Sequence, residues 1–249
     1  MSVRVAERGI RAILLDIEGT TTSIAYVYEE LFPFARAHLG AYLADRWGTS
    51  ALDDIVRRLA IEHEADRTRG EDPPPWRTDS GDVTPATIDA YARWLMDRDR
   101  KAPGLKLLQG LITDRGYEDG ALHGHVYSDV APALRRWRAA GIDVAIYSSG
   151  SELAQRRLFA STSDGDLTPL IVAFFDTAVG AKREAASYHR IADALNHQPA
   201  EMLFISDVTA ELAAATEAGL QSVLSIRAGN APQPGADNFT TIRSFDEVA

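Results

Sequence analysis

The sequence contains no cysteine. That absence removes disulfides, thiolate metal sites and cysteine nucleophiles together, and gives no support to a small secreted scaffold held by cross-links. Positive charge is also short: 26 Lys and Arg stand against 36 Asp and Glu, a formal net charge of −10. A nucleic-acid partner is therefore not expected, because phosphate-backbone binding rests on clustered Lys and Arg. A small phosphorylated metabolite stays open, since a bound metal or a few local cations reverse the sign within one pocket. Long apolar runs are missing too. The N-terminal stretch M-S-V-R-V-A-E-R has none, so neither a signal peptide nor a membrane anchor is expected, and cytoplasm is the default compartment. Internal repeats and low-complexity tracts are absent, and the six histidines scatter without metal-ligand spacing. No long apolar surface segment stands out, so a monomer is expected.

What is present fits one large domain or two unequal ones: 249 residues with an ordinary 45% hydrophobic share, enough for a substantial core. Arg11–Asp16 reads R-A-I-L-L-D, a short apolar run ending in an acid, as a strand buried on both faces of a parallel sheet would. The pattern recurs at Ile142–Ser148, Met202–Asp207 and Ser222–Ile226. Helical patterns lie between. Ser128 is placed to cap a helix carrying Val130, Leu134 and Trp137, closed by Gly141; Tyr188–Asn196 sets Ile191 and Leu195 four apart; Thr209–Gly219 is alanine-rich with a glycine stop. This alternation predicts a doubly wound α/β sheet.

Residues 23–125 break the alternation. Leu31, Ala35, Leu39, Leu43 and Trp47 form a stripe four apart, Leu52, Ile55, Val56 and Leu59 form another, and Thr84-Pro85 starts a helix carrying Ile88, Tyr91 and Leu95. Glu71–Asp82, with three consecutive prolines, reads as a loop. The expected division is thus an α/β core from residues 1–22 plus 126–249, with a helical insert at 23–125. Trp47 and Trp94 are expected to pack that insert's own core.

In an open α/β sheet, ligands bind outside the carboxyl ends of the strands. Three such ends carry Asp16-Ile17-Glu18-Gly19-Thr20, Ser148-Ser149-Gly150-Ser151 and Ser206-Asp207-Val208-Thr209. Carboxylates from two strands can hold Mg²⁺, which needs only one or two of them besides water and phosphate oxygens. A hydroxyl-rich turn opening a helix offers N–H groups to a phosphate, and a carboxylate can attack phosphorus to give an acyl phosphate. Taken singly, each has an ordinary reading: Asp16 as a common strand end, Ser148–Ser151 as a helix cap, Lys182 as a solvated lysine, Asp207 as a cap.

In order, the motifs D-I-E-G-T, S-S-G, K and D-V, each after an apolar strand, resemble the haloacid dehalogenase superfamily, with the long helical insert standing where that superfamily has its cap domain. D-I-E-G-T-T-T-S-I (Asp16–Ile24), Y-S-S-G-S (Tyr147–Ser151), F-F-D-T-A-V-G-A-K (Phe174–Lys182), S-D-V-T-A-E (Ser206–Glu211) and R-A-G-N-A-P (Arg227–Pro232) narrow this to the enolase-phosphatase family of methionine salvage. That family more often has Pro where Ala228 stands. The resemblance implies an enzyme that enolises 2,3-diketo-5-methylthiopentyl-1-phosphate and then dephosphorylates it to the acireductone. It implies Asp16 as nucleophile and Mg²⁺ ligand, Asp207 as a second ligand, and position 18 at the metal through its backbone carbonyl, leaving the Glu18 side chain as general acid and base. Ser148 and Ser149 would hold phosphate oxygens, and Lys182 would neutralise charge between nucleophile and phosphoryl group. Other readings compete. A sugar-phosphate or phosphoglycolate-type phosphatase shares the four motifs but not Glu18, a metal-free dehalogenase has no use for Asp207, and a phospho-switch receiver domain has no use for so long an insert.

Overall fold

The computed structural model describes residues 3–100 and 102–249; Met1 and Ser2, part of the N-terminal stretch read above, and Lys101 lie outside it. The chain forms two compact units, one running to Tyr28 and resuming at Gly120–Ala249, the other Glu29–Asp119.

The first unit is built on six parallel strands: β1 (Ala12–Leu15), β2 (Asp143–Tyr147), β3 (Ala173–Phe175), β4 (Met202–Ser206), β5 (Gln221–Ser225) and β6 (Thr240–Ile242), in the order β3-β2-β1-β4-β5-β6. Every residue of β1 is buried, which is why the run alternates no polar residue. It sits at the centre, Leu15 facing Ile146 of β2 on one side and Ile205 of β4 on the other. The chain winds outward from β1 through β2 to β3, then returns to β1's other side for β4. That reversal is the topological switch point, where such sheets bind ligands.

One face of the sheet packs Leu14, Tyr147 and Phe204 against Tyr188, Ile191 and Leu212 of the helices Ala185–Leu195 and Thr209–Glu217. The helix Val130–Ala139 buries Val130, Leu134 and Trp137 as its spacing predicts, and Gly141 follows at φ +76°. Its cap differs from expectation. Asp129, not Ser128, occupies the N-cap, and the Asp129 carboxylate serves Arg227 and the Phe245 N–H rather than its own helix. The edge strands β3 and β6 are three residues each, too short to show a period in the sequence.

The second unit is all helical: Phe32–Arg46, Ser50–Thr68, Pro85–Met96 and Pro103–Glu118. Ala35, Leu39, Leu43, Leu52, Ile55, Leu59, Ile88, Tyr91 and Leu95 share one buried cluster, as their spacing predicts. Thr84 caps the Pro85–Met96 helix reciprocally with Thr87. Trp94 packs against the cluster, but Trp47 does not: it lies past the end of its helix with ψ 131° and is 39% exposed, because the chain leaves the helical path there. Glu71–Asp82 contains neither helix nor strand.

Candidate active site

Strands β1, β2 and β4 each deliver the residue that follows them, Asp16, Ser148 and Asp207, to the same edge of the sheet. Asp16 follows β1 directly, its N–H donating to Ile205 O at 3.0 Å, so it is held between β2 and β4. The next turn folds tightly back: Ile17 O accepts from the N–H groups of Thr20, Thr21 and Thr22, and Ile17 N–H donates to Asp16 Oδ1 at 2.7 Å. Gly19 takes φ +68°, and any side chain there would press on the Asp207 carboxylate. The residue is glycine both for its backbone and for the space.

Asp16 is 4% exposed and Lys182 9%. Lys182 Nζ lies 2.6 Å from Asp16 Oδ1 and 2.6 Å from Glu211 Oε2. Ser206, fully buried, donates to Asp16 Oδ2 at 3.2 Å or Glu211 Oε2 at 3.0 Å. The lysine is aimed from its backbone: Tyr188 OH donates to Lys182 O at 2.6 Å and Tyr147 OH to Gly180 O at 2.9 Å. This is not a solvated lysine. Burial alone would lower its pKa, but Asp16 and Glu211 outweigh that and hold it above its ordinary value.

Asp207 closes β4 and is 7% exposed. It does not cap the following helix, whose N-cap is Val208. Burial, with the charges of Asp16 and Glu211 adding to it and Lys182 opposing, pushes its carboxyl up to about 7. Glu211 is also pushed up to about 7, by burial first and Asp16 next. Two acids, Asp16 and Glu211, thus share the one lysine, and Asp207 adds a third carboxyl group beside them by charge. Among the described residues no Lys or Arg pairs with Asp207, and no three His, Asp or Glu side chains form a ready metal cage. A surplus of desolvated carboxylate with two acids at neighbouring strand ends fits a divalent cation that keeps water as its other ligands.

Ser148 follows β2 directly, 3% exposed, its Oγ accepting from Gly150 N–H at 3.2 Å. Ser151 is the residue that caps the Glu152–Ala160 helix, accepting from Ala154 N–H. Ser149 and Glu18 lie on the same strand-end loops with exposed side chains. The structure therefore gathers Asp16 and Lys182 into one bonded group, sets Asp207 beside it by charge, and places Ser148 at the next strand end. The sequence reading missed Glu211 and Ser206. The available signal was spacing: four residues after Asp207, on a helix opening at Thr209, a side chain returns to the strand end.

A family model for haloacid dehalogenase-like hydrolases matches residues 10–219. The enolase-phosphatase E1 of Synechococcus elongatus is 45% identical over 242 residues, covering 96% of this chain and 98% of its own. That of Sorangium cellulosum is 45% identical over 239 residues, covering 96% and 97%. The crystal structure of the UTR4 protein of Saccharomyces cerevisiae is similar with a TM-score of 0.73 at 30% identity, covering 95% of this chain and 99% of that one. By sequence along nearly its whole length and by the fold beneath it, the chain belongs to the enolase-phosphatase family of haloacid dehalogenase-like hydrolases.

Proposed function

We propose that the protein is a bifunctional enolase-phosphatase that enolises 2,3-diketo-5-methylthiopentyl-1-phosphate and then hydrolyses the enol phosphate to the acireductone, using Mg²⁺ and an aspartyl-phosphate intermediate. The observation that carries this reading is the buried Lys182 bridging Asp16 and Glu211 at 2.6 Å each, beside a desolvated Asp207. A lysine so placed holds the nucleophile ionised and meets the phosphoryl charge with a fixed cation, the preorganised electrostatics on which such transfers depend.

Asp16, Asp207 and the backbone at position 18 would hold the cation, which when bound screens phosphoryl charge and polarises the diketone for loss of its proton. Asp16 attacks phosphorus as the bond to the substrate's enol oxygen breaks, and Glu18 gives that oxygen a proton. Glu18, now a carboxylate, takes a proton from the water that attacks the phosphoryl group, releasing phosphate and restoring Asp16. Ser148 and Ser149 orient phosphate oxygens. Glu211 and Ser206 keep Lys182 and Asp16 in register. The helical unit Glu29–Asp119 plays the part of the cap domain.

The test is phosphate release from the diketo phosphate against common sugar phosphates and phosphoglycolate, with and without Mg²⁺, while following enol absorbance. Preference for the diketo phosphate, with an enol signal that depends on metal, is expected. Equal turnover of ordinary esters with no enol signal would make the protein a general phosphatase of the same superfamily.

A further inference from the structure

The segment Arg227–Pro232 has no part in the chemistry above, yet it folds back onto the loop that follows the nucleophile. Arg227, 8% exposed, donates from Nε to Thr20 O at 3.1 Å, and from Nη1 to Asp129 Oδ2 at 2.8 Å and Arg243 O at 3.0 Å. Asn230 Nδ2 donates to Gly19 O at 2.9 Å and Ser225 O at 3.4 Å. These two bonds decide which way the amide faces. Turned over, its oxygen would oppose two carbonyl oxygens.

Asn230 Oδ1 is therefore directed away from the carbonyls, and it is buried with no donor among the described residues. Its surroundings explain why that matters. A methyl group at Gly19 would lie 3.0 Å from Asn230 Oδ1 and inside contact distance of Asp207 Oδ2. Asn230 Oδ1 and the Asp207 carboxylate thus both lie against the bare Cα of Gly19, and Asn230 Oδ1 has no hydrogen-bond partner among the described residues. A buried acceptor without a donor is rare in folded proteins and marks a place for ordered water or an ion.

We propose that Asn230 is a positioning residue of the cation site: its Oδ1 accepts a hydrogen bond from a water held beside Asp207, while its Nδ2 clamps Gly19. The inference rests on the reading that Asp16 and Asp207 bind a divalent cation. Mg²⁺ gives up its water reluctantly and usually keeps several molecules, so an acceptor that orders one of them adds to affinity without touching the ion. Partners of this kind typically contribute 10–100-fold.

Calorimetric titration of Mg²⁺ into metal-free protein without substrate separates the two claims. If the parent protein binds no Mg²⁺, the metal reading itself fails. If it binds, Asn230→Ala is expected to weaken Mg²⁺ about tenfold or more, and a constant within twofold of the parent overturns the role given to Asn230. Asn230→Asp distinguishes the acceptor from the clamp, because it keeps an oxygen but loses the donor to Gly19 O. It is expected to bind Mg²⁺ at least as tightly as the parent, also if the alanine variant does not fold. A loss through Asp as large as that through Ala would show that only the clamp matters, and would overturn the proposal.

Discussion

At the scale of single residues, Asp16 is both the most central and the most replaceable in shape. Asn in its place keeps the volume and an acceptor for the Ile17 N–H, but an amide does not attack phosphorus. Asp16→Asn is expected to keep its melting temperature near the parent's and to show no turnover. Rapid quenching should find no protein-bound phosphate in Asp16→Asn, whereas Glu18→Gln should accumulate it, because an enol oxygen leaves with little help from an acid while the attack of water still needs the missing base. Equal labelling of the two would sink the covalent route. Lys182, paired with two acids while 9% exposed, is expected to cost about two orders of magnitude in turnover as Lys182→Ala. Lys182→Arg should rescue only part, since a planar fork is a poor substitute for a compact charge. Near-normal turnover of the alanine variant would reduce the lysine to a structural counter-ion.

The acids carry a pH dependence of their own. Asp207 and Glu211 are pushed up to about 7, burial being the first cause in both. A carboxyl whose folded-state value lies above its unfolded one favours the fold fully below the ordinary range near 4, and loses that contribution as pH rises through about 7. In chelator, the protein's thermal stability is therefore expected to fall between pH 5 and about 8, and Asp207→Asn should flatten that decline. A variant that loses stability as steeply as the parent would contradict the assignment. Asp16, Lys182 and Asp207 were legible in the sequence because each follows an apolar strand or a recognisable motif. Glu211 was not, because its meaning depends on a helix turning it back to the strand end.

At the scale of elements, capping decides more than composition. Thr84 and Thr87 satisfy each other's backbone N–H groups at the start of the Pro85–Met96 helix, whose Ile88, Tyr91 and Leu95 are fully buried. Thr84→Ala is expected to lower stability by about 1 kcal/mol, measured by urea unfolding, with catalysis unchanged at saturating substrate. No change in the midpoint would mean that water replaces the cap at no cost. The four inner strands were readable as apolar runs because parallel sheets bury both faces. β3 and β6, three residues each at the sheet's edges, have no such run. Asp129's place at the helix start was equally hidden, since its carboxylate answers to Arg227, which is 98 positions away.

At the scale of the molecule, the chain is two units with separate cores. The helical unit has a cluster of thirteen buried residues from its four helices, and its first and last helices pack on each other. A fragment spanning Glu29–Asp119 is accordingly expected to be helical and to melt cooperatively by circular dichroism. A broad, sloping melt would show that the cluster depends on the rest of the chain. The residues that break the strand–helix alternation announced this insert in the sequence; how its helices share one cluster became visible only when their faces met. Among the described residues no helix is long and apolar enough to cross a membrane.

The central position of β1 has a consequence for the order of events during synthesis. Its partners are β2, which begins at Asp143, and β4, which begins at Met202. A ribosome therefore releases the bare Ala12–Leu15 segment long before anything exists for it to pair with, while the helical insert, whose core draws only on helices within Glu29–Asp119, is already complete before β2 emerges. Local contacts form fast and distant ones late. The insert is expected to gain amide protection first in pulsed hydrogen exchange during refolding, and β1 to remain exchangeable until β4 is available. In that interval an apolar strand with two open edges is the part of the nascent chain most in need of a chaperone.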